Sequence, residues 1–151
     1  MLAEVNQLES LRQKIEDLDR EAGSQSDDLD YGKPNPKQAK QTQEFIDKLN
    51  NKSRTLKAEL TGLIAKVRGE RPQAIHEWAD LHINILQKIV AVTEAGLQAA
   101  VRRDVAQRTL QEWKKVRLGE QEYVSINGHY LKDYKAHMRT IAKKAWWQFW
   151  K

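Results

Sequence analysis

The chain has 151 residues, no cysteine, 26 basic and 21 acidic side chains, and a formal net charge of +5. The absence of cysteine excludes a disulfide framework and a thiolate zinc cluster, leaves the redox compartment open, and makes the cytoplasm the default expectation. Seven glycines and three prolines against a charged fraction of 31% point to an all-α protein, a single elongated antiparallel helical bundle or coiled coil.

The first residues, MLAEVNQLES, lack a basic stretch followed by an apolar run, so no secretory signal is expected. Leu8, Leu11, Ile15 and Leu18 recur at heptad spacing. They predict an amphipathic helix from residue 2 to about 22, with Gly23 as its C′ residue. The following GSQSDDLDYGKPNP is rich in turn formers and reads as an acidic loop. Asp27, Asp28 and Asp30 lack the glycine position and closing glutamate of a calcium loop. Asn35-Pro36 then offers an N-cap followed by proline at N1.

From there Ile46, Leu49, Ser53, Leu56, Leu60, Leu63 and Val67 alternate steps of three and four. Ser53 is the one polar member, of the kind that fixes register in a coiled coil. Gly69 is expected to close this helix and Pro72 to open the next. Between Pro72 and about Leu118 there is no further proline and a single glycine, Gly96. That stretch predicts one long central helix of about 45 residues, roughly 65–70 Å. Two apolar rows run along it: Ile75, Trp78, His82, Ile85, Ile89, Val92, Gly96 and Ala99, and beside them Leu86, Val90, Leu97, Val101 and Val105. Two rows ask for two partners, so residues 1–101 are expected to form a three-helix coiled coil on the first two-thirds of this spine.

Past Arg102 the spine keeps Val105, Ala106, Leu110, Trp113 and Val116, which need another cover. The candidate is a last amphipathic helix carrying Leu131, Tyr134, Met138, Ile141 and Ala145 on one face. Asn127 would be its N-cap, with Ile126 and Leu131 as a hydrophobic staple. The competing reading of Asn127-Gly128 is a two-residue hairpin turn.

Charge is distributed unevenly. Residues 1–32 sum to −6, 33–75 to +6, 76–101 to −2 and 102–151 to +7. The first two cancel, as two packed helices would; the last has no internal counterweight. Lys132, Lys135, Arg139 and Lys143 share a narrow arc of the last helix, and the chain ends AKKAWWQFWK. Trp146 and Trp150 fall on that same basic side next to Lys144, with Trp147 beyond them, where packing on the spine does not explain them. Arg103, Lys114 and Arg117 share a stripe on the spine, with Arg102 adjacent.

Cations beside exposed indoles suit phosphate neutralisation and base stacking, so this C-terminal part is a candidate surface for single-stranded nucleic acid. Two rival readings stand beside it. A basic helix with tryptophan at its polar boundary can lie in an anionic membrane interface. The aromatics can also simply pack on the bundle or on a second copy, which makes the protein a pure scaffold. The spine's most apolar window, Leu81 to Val101, contains Lys88 and Glu94 and reads as amphipathic, not as a membrane span.

His76 and His82 do not share a helical face, and His82 sits in an apolar row, as a core histidine would. His129 and His137 are eight apart with no metalloprotease pattern. No phosphate-cradling glycine motif or nucleophile elbow occurs. The expectation is a non-enzymatic interaction subunit without cofactor, metal or small-molecule substrate, whose coiled coil engages a protein partner or a second copy.

Overall fold

The computed structural model describes residues 2–91 and 97–121, the side chains of 97–102 excepted. Four helices make up this part: α1 (Ala3–Tyr31), α2 (Pro36–Glu70), α3 (Pro72–Ala91) and α4 (Leu97–Leu118). No strand occurs among the described residues. The chain divides after Ile75 into two compact units, Met1–Ile75 and His76–Lys151. The all-α expectation holds, and each unit is built around its own helix pair.

In the first unit α1 packs along α2. The pair is antiparallel: Glu4 near the start of α1 meets Arg71 at the end of α2, and Asp19 further along meets Lys57 and Ser53. Val5, Leu8, Leu11 and Ile15 are buried on α1, as are Ile46, Leu49, Leu60, Ile64 and Val67 on α2. Both sets recur at three and four, the spacing that keeps one helical stripe turned inward. Ser53 is buried in that seam, and its hydroxyl donates to Asp19 Oδ1 at 2.6 Å. A buried hydroxyl opposite a single carboxylate is satisfied in one register only. Near the end of α2 the buried residue is Ile64, with Leu63 only half-buried, so the stripe drifts one position from the strict heptad.

The N-terminus of α2 is the one the sequence announces. Asn35 Oδ1 accepts from Gln38 N at 2.8 Å, Asn35 N donates to Gln38 Oε1 at 3.4 Å, and Pro36 occupies the first turn. The reciprocal pair satisfies two backbone donors that the helix itself cannot. At the other end α2 runs one residue past Gly69, to Glu70, and Arg71 alone separates it from Pro72.

The end of α1 corrects the sequence expectation. The helix passes through Gly23 and carries Asp27, Asp28 and Asp30 on its last turns, so the acidic loop is helical. The true stop is Gly32, whose N–H donates to Asp28 O at 2.9 Å. A Cβ on Gly32 would lie 2.5 Å from that carbonyl oxygen, so the tight closure requires glycine there. Lys33 follows in the left-handed region, φ 48°, and Pro34 and Pro36 prevent any continuation. Turn-forming composition lost to the seam: the register set by Glu4 and Arg71 places Leu29, half-buried, at the level of Ile46. An uncovered Ile46–Leu49 end would cost more than a helical glycine, about 1 kcal/mol.

In the second unit the predicted rod is replaced by a helix pair. Trp78 and Trp113 lie 35 positions apart in sequence, which is about 52 Å along a continuous helix. Their ring centroids are 4.9 Å apart. Asp80 meets Arg117 and His82 meets Trp113, so ascending α3 pairs with descending α4. The chain reverses between these helices, and α3 and α4 are antiparallel neighbours. Gly96, the one candidate break, falls in 92–96, outside the described residues. The apolar rows are reassigned accordingly: Trp78, Ala79, His82, Ile83 and Leu86 are buried on α3, and Ala106, Leu110, Trp113 and Val116 on α4, while Val105 of the second row is 54% exposed. The hairpin-or-cap alternative at 123–131 and the final helix also lie outside the described residues.

Candidate basic interface

The outer surface of α4 is decided by which residues its seam consumes. At 100° per residue Arg117 projects within about 20° of Ala106, inside the buried arc with Leu110 and Trp113. Its Nε donates to Asp80 Oδ1 at 2.9 Å, with both side chains close to half exposed. The pair joins α3 to α4 beside the ring cluster, and it spends the charge that a phosphate would need. Arg103, on the same side of the helix, is half-buried. The predicted stripe of Arg103, Lys114 and Arg117 therefore flanks the packed seam and does not form an outward ridge.

What remains outward is Lys114 and Lys115, both exposed in the last turns of α4. There they also complement the negative helix end, worth about 0.3–1 kcal/mol each. Arg108 pairs with Asp104 on the same outer face. Hydrogen bonding to Asp104 and its charge raise the Arg108 pKa above its ordinary value. Gly119, with φ 81°, ends the helix as the sequence anticipates, and Glu120 N donates to Lys115 O. Arg102's side chain and the residues Lys132, Lys135, Arg139, Lys143, Lys144, Trp146, Trp147 and Trp150 lie outside the described part, so the structure brings together only Lys114, Arg103 and Arg117 of the proposed set.

The ring cluster is what fixes this end of α4. The His82 imidazole stacks on the Trp113 indole, 3.9 Å between centroids and 2° between planes, and Trp78 meets both edge-on. All three side chains are fully buried. Offset or edge-on aromatic pairs each add about 0.5–1.5 kcal/mol beyond their area. The core placement of His82 agrees with its position in an apolar row.

Sequence reasoning missed a charged cluster in the first unit. Arg12 and Glu16 are buried on α1, next to Val5 and Leu8. Arg12 Nη1 donates to Glu16 Oε2 at 2.9 Å, and its Nε donates to Glu9. Arg20 closes the chain of pairs on Glu16 and Asp17. The signal was present as charges of opposite sign at i, i+3 and i, i+4, but that pattern usually marks a solvated face. The cluster also changes the charge balance: Glu9, Glu16 and Asp17 pair with α1's own arginines, while Glu4 and Asp19 reach Arg71 and Lys57.

Among the described residues no group of three His, Asp or Glu side chains converges to hold a metal ion. None of the described helices is long and apolar enough to cross a membrane. No family model, no curated protein and no solved structure matches this chain.

Proposed function

We propose that this protein is a non-enzymatic helical interaction subunit that binds nucleic acid without strict sequence preference. Its surface is the basic, tryptophan-rich part from Arg102 onward, and its helix pairs provide a scaffold for a protein partner or a second copy. One observation carries the reading. The seam of α4 spends Arg117 on Asp80 but leaves Lys114 and Lys115 in solvent, inside the chain's most basic segment, residues 102–151 at net +7. Lysines at that density neutralise phosphates, and the indoles of Trp146, Trp147 and Trp150 supply stacking faces that unpaired bases accept.

Titrating tryptophan fluorescence with a single-stranded oligonucleotide tests this. Affinity should fall steeply between about 50 and 200 mM salt. Replacing the three terminal tryptophans by alanine should weaken single strands more than duplex, since stacking contributes about 1–3 kcal/mol per base. Salt-insensitive binding, or none, ends the proposal. A parallel titration with anionic vesicles separates the membrane-surface alternative, which predicts a blue-shifted emission there and little response to neutral lipid.

A further inference from the structure

The cations of α2 present a surface of their own. Lys37, Lys48, Lys52 and Lys66 are exposed and have no ion-pair partner among the described residues. At 100° per residue they occupy an arc of about 60°, on the side of α2 away from Ile46 and Ile64. The row rises about 43 Å from Lys37 to Lys66. In the sequence the acidic and basic segments cancel, but in the structure Arg12 and Arg20 take up Glu9, Glu16 and Asp17 within α1. Three of the α1 carboxylates expected to offset α2 are thus committed within α1, and the pairs that do cross to α2 go to Lys57 and Arg71, outside this row.

We infer that this outer face of α2 is a second nucleic-acid contact, one that grips phosphates alone. The occupant follows from what the arc lacks. Within the lysine arc itself, about 180° to 240° from Ile46, no side chain is apolar; Phe45, 42% exposed, stands at its edge near 260° with the half-buried Leu63, so the arc carries no greasy stripe of the kind a lipid interface needs. A polyanionic rod fits it: cations are spread along a straight helix of 35 residues. Ala58, Gly62, Ala65 and Gly69 beside Lys66 hold no bulky side chain in the way, and a Cβ at Gly62 or Gly69 would meet open space. Glu44, Glu59 and Glu70 interrupt the row and set a modest affinity. Duplex and single strand are expected to bind this face alike, in contrast to the tryptophan-bearing segment.

The inference rests on the nucleic-acid reading above, and the two fail separately. The full chain is titrated with a duplex of at least about 15 base pairs, the span of α2, and with an oligothymidine, over a range of salt. The triple variant Lys48→Gln, Lys52→Gln, Lys66→Gln should lower the log–log salt slope on duplex by up to about 2.7, some 0.9 per phosphate contact. Glu59→Gln should act in the opposite direction and tighten both ligands. Helicity by circular dichroism should be unchanged in both, as the replaced side chains are exposed. An unchanged slope with intact binding overturns the α2 contact and leaves the C-terminal one standing. If the tryptophan variants bind single strands normally while the lysine variants do not, the C-terminal reading fails and α2 is the interface. Loss of binding to anionic vesicles with duplex binding retained would make the occupant a lipid surface and overturn the inference. A wild-type chain that binds neither oligonucleotide overturns both.

Discussion

Along α1 and α2 the buried apolar residues are aliphatic and recur at helical spacing, from Val5 to Ala22 on one helix and from Ile46 to Val67 on the other. In α3 and α4 a large share of the buried surface is concentrated in two tryptophans and a histidine gathered into one cluster. Both pairs are antiparallel, but they reach that state differently. A distributed seam specifies its register through many small equal terms plus one polar pin, Ser53 on Asp19. A concentrated seam specifies it through a few large side chains with defined ring geometry. The first tolerates the loss of any one aliphatic contact better than the second tolerates loss of a ring.

Removing a ring should therefore have the largest effect. Trp113→Ala deletes the stacking partner of His82 and the edge-on partner of Trp78 together. A cost of about 3–5 kcal/mol is expected, read as a lowered urea midpoint. Hydrogen exchange should show the loss concentrated in α3 and α4. An effect under about 1 kcal/mol would mean the cluster does not hold this helix pair together.

The buried ion cluster breaks the comparison from the other side, because it places paired charges inside the aliphatic unit. Arg12→Ala leaves Glu16 buried with only Arg20 to neutralise it. The expected loss is about 2–3 kcal/mol, below the roughly 3–5 for a charge left wholly alone. The double change Arg12→Met, Glu16→Leu should recover most of it, since paired apolar replacements of similar volume are near neutral or better. Chemical denaturation of the single and double variants measures both. If the double is as unstable as the single, the cluster is itself a stabilising element of the fold.

The same contrast explains what could be read in the sequence. The α2 start was legible because a capping box is local chemistry: Asn35, Pro36 and Gln38 act within one turn. The α1–α2 seam was legible because its period repeats over many turns. The reversal between α3 and α4 was not, since an apolar row that breaks and restarts in phase has the same spacing as one that continues. Only a contact between distant residues, Trp78 on Trp113, distinguishes a rod from a hairpin. The surroundings of Arg103, Lys114 and Arg117 were not legible for a related reason. Helical spacing places residues on a common side, but whether that side meets water depends on the partner helix, and Asp80 on α3 claimed Arg117.

Two glycines give the smallest effects and the sharpest sign. Gly119 and Gly23 both read as helix-ending residues, yet only Gly119 has the left-handed φ, 81°, that such a position requires. An alanine there must adopt a conformation its Cβ resists, so Gly119→Ala should destabilise by about 1–2 kcal/mol. Gly23 sits inside α1, and a Cβ built on it has nothing within 4 Å. Alanine at such a site lowers the entropy of the unfolded chain and improves helix propensity, so Gly23→Ala should stabilise by about 0.5–1 kcal/mol. Were residues 23–35 the acidic loop that their composition suggests, with Gly23 as the left-handed C′ residue, the same substitution would destabilise. A thermal melt of that variant distinguishes the two by direction alone: a raised midpoint means that the seam carries α1 through to Tyr31, and a lowered one that turn chemistry ends the helix nine residues sooner.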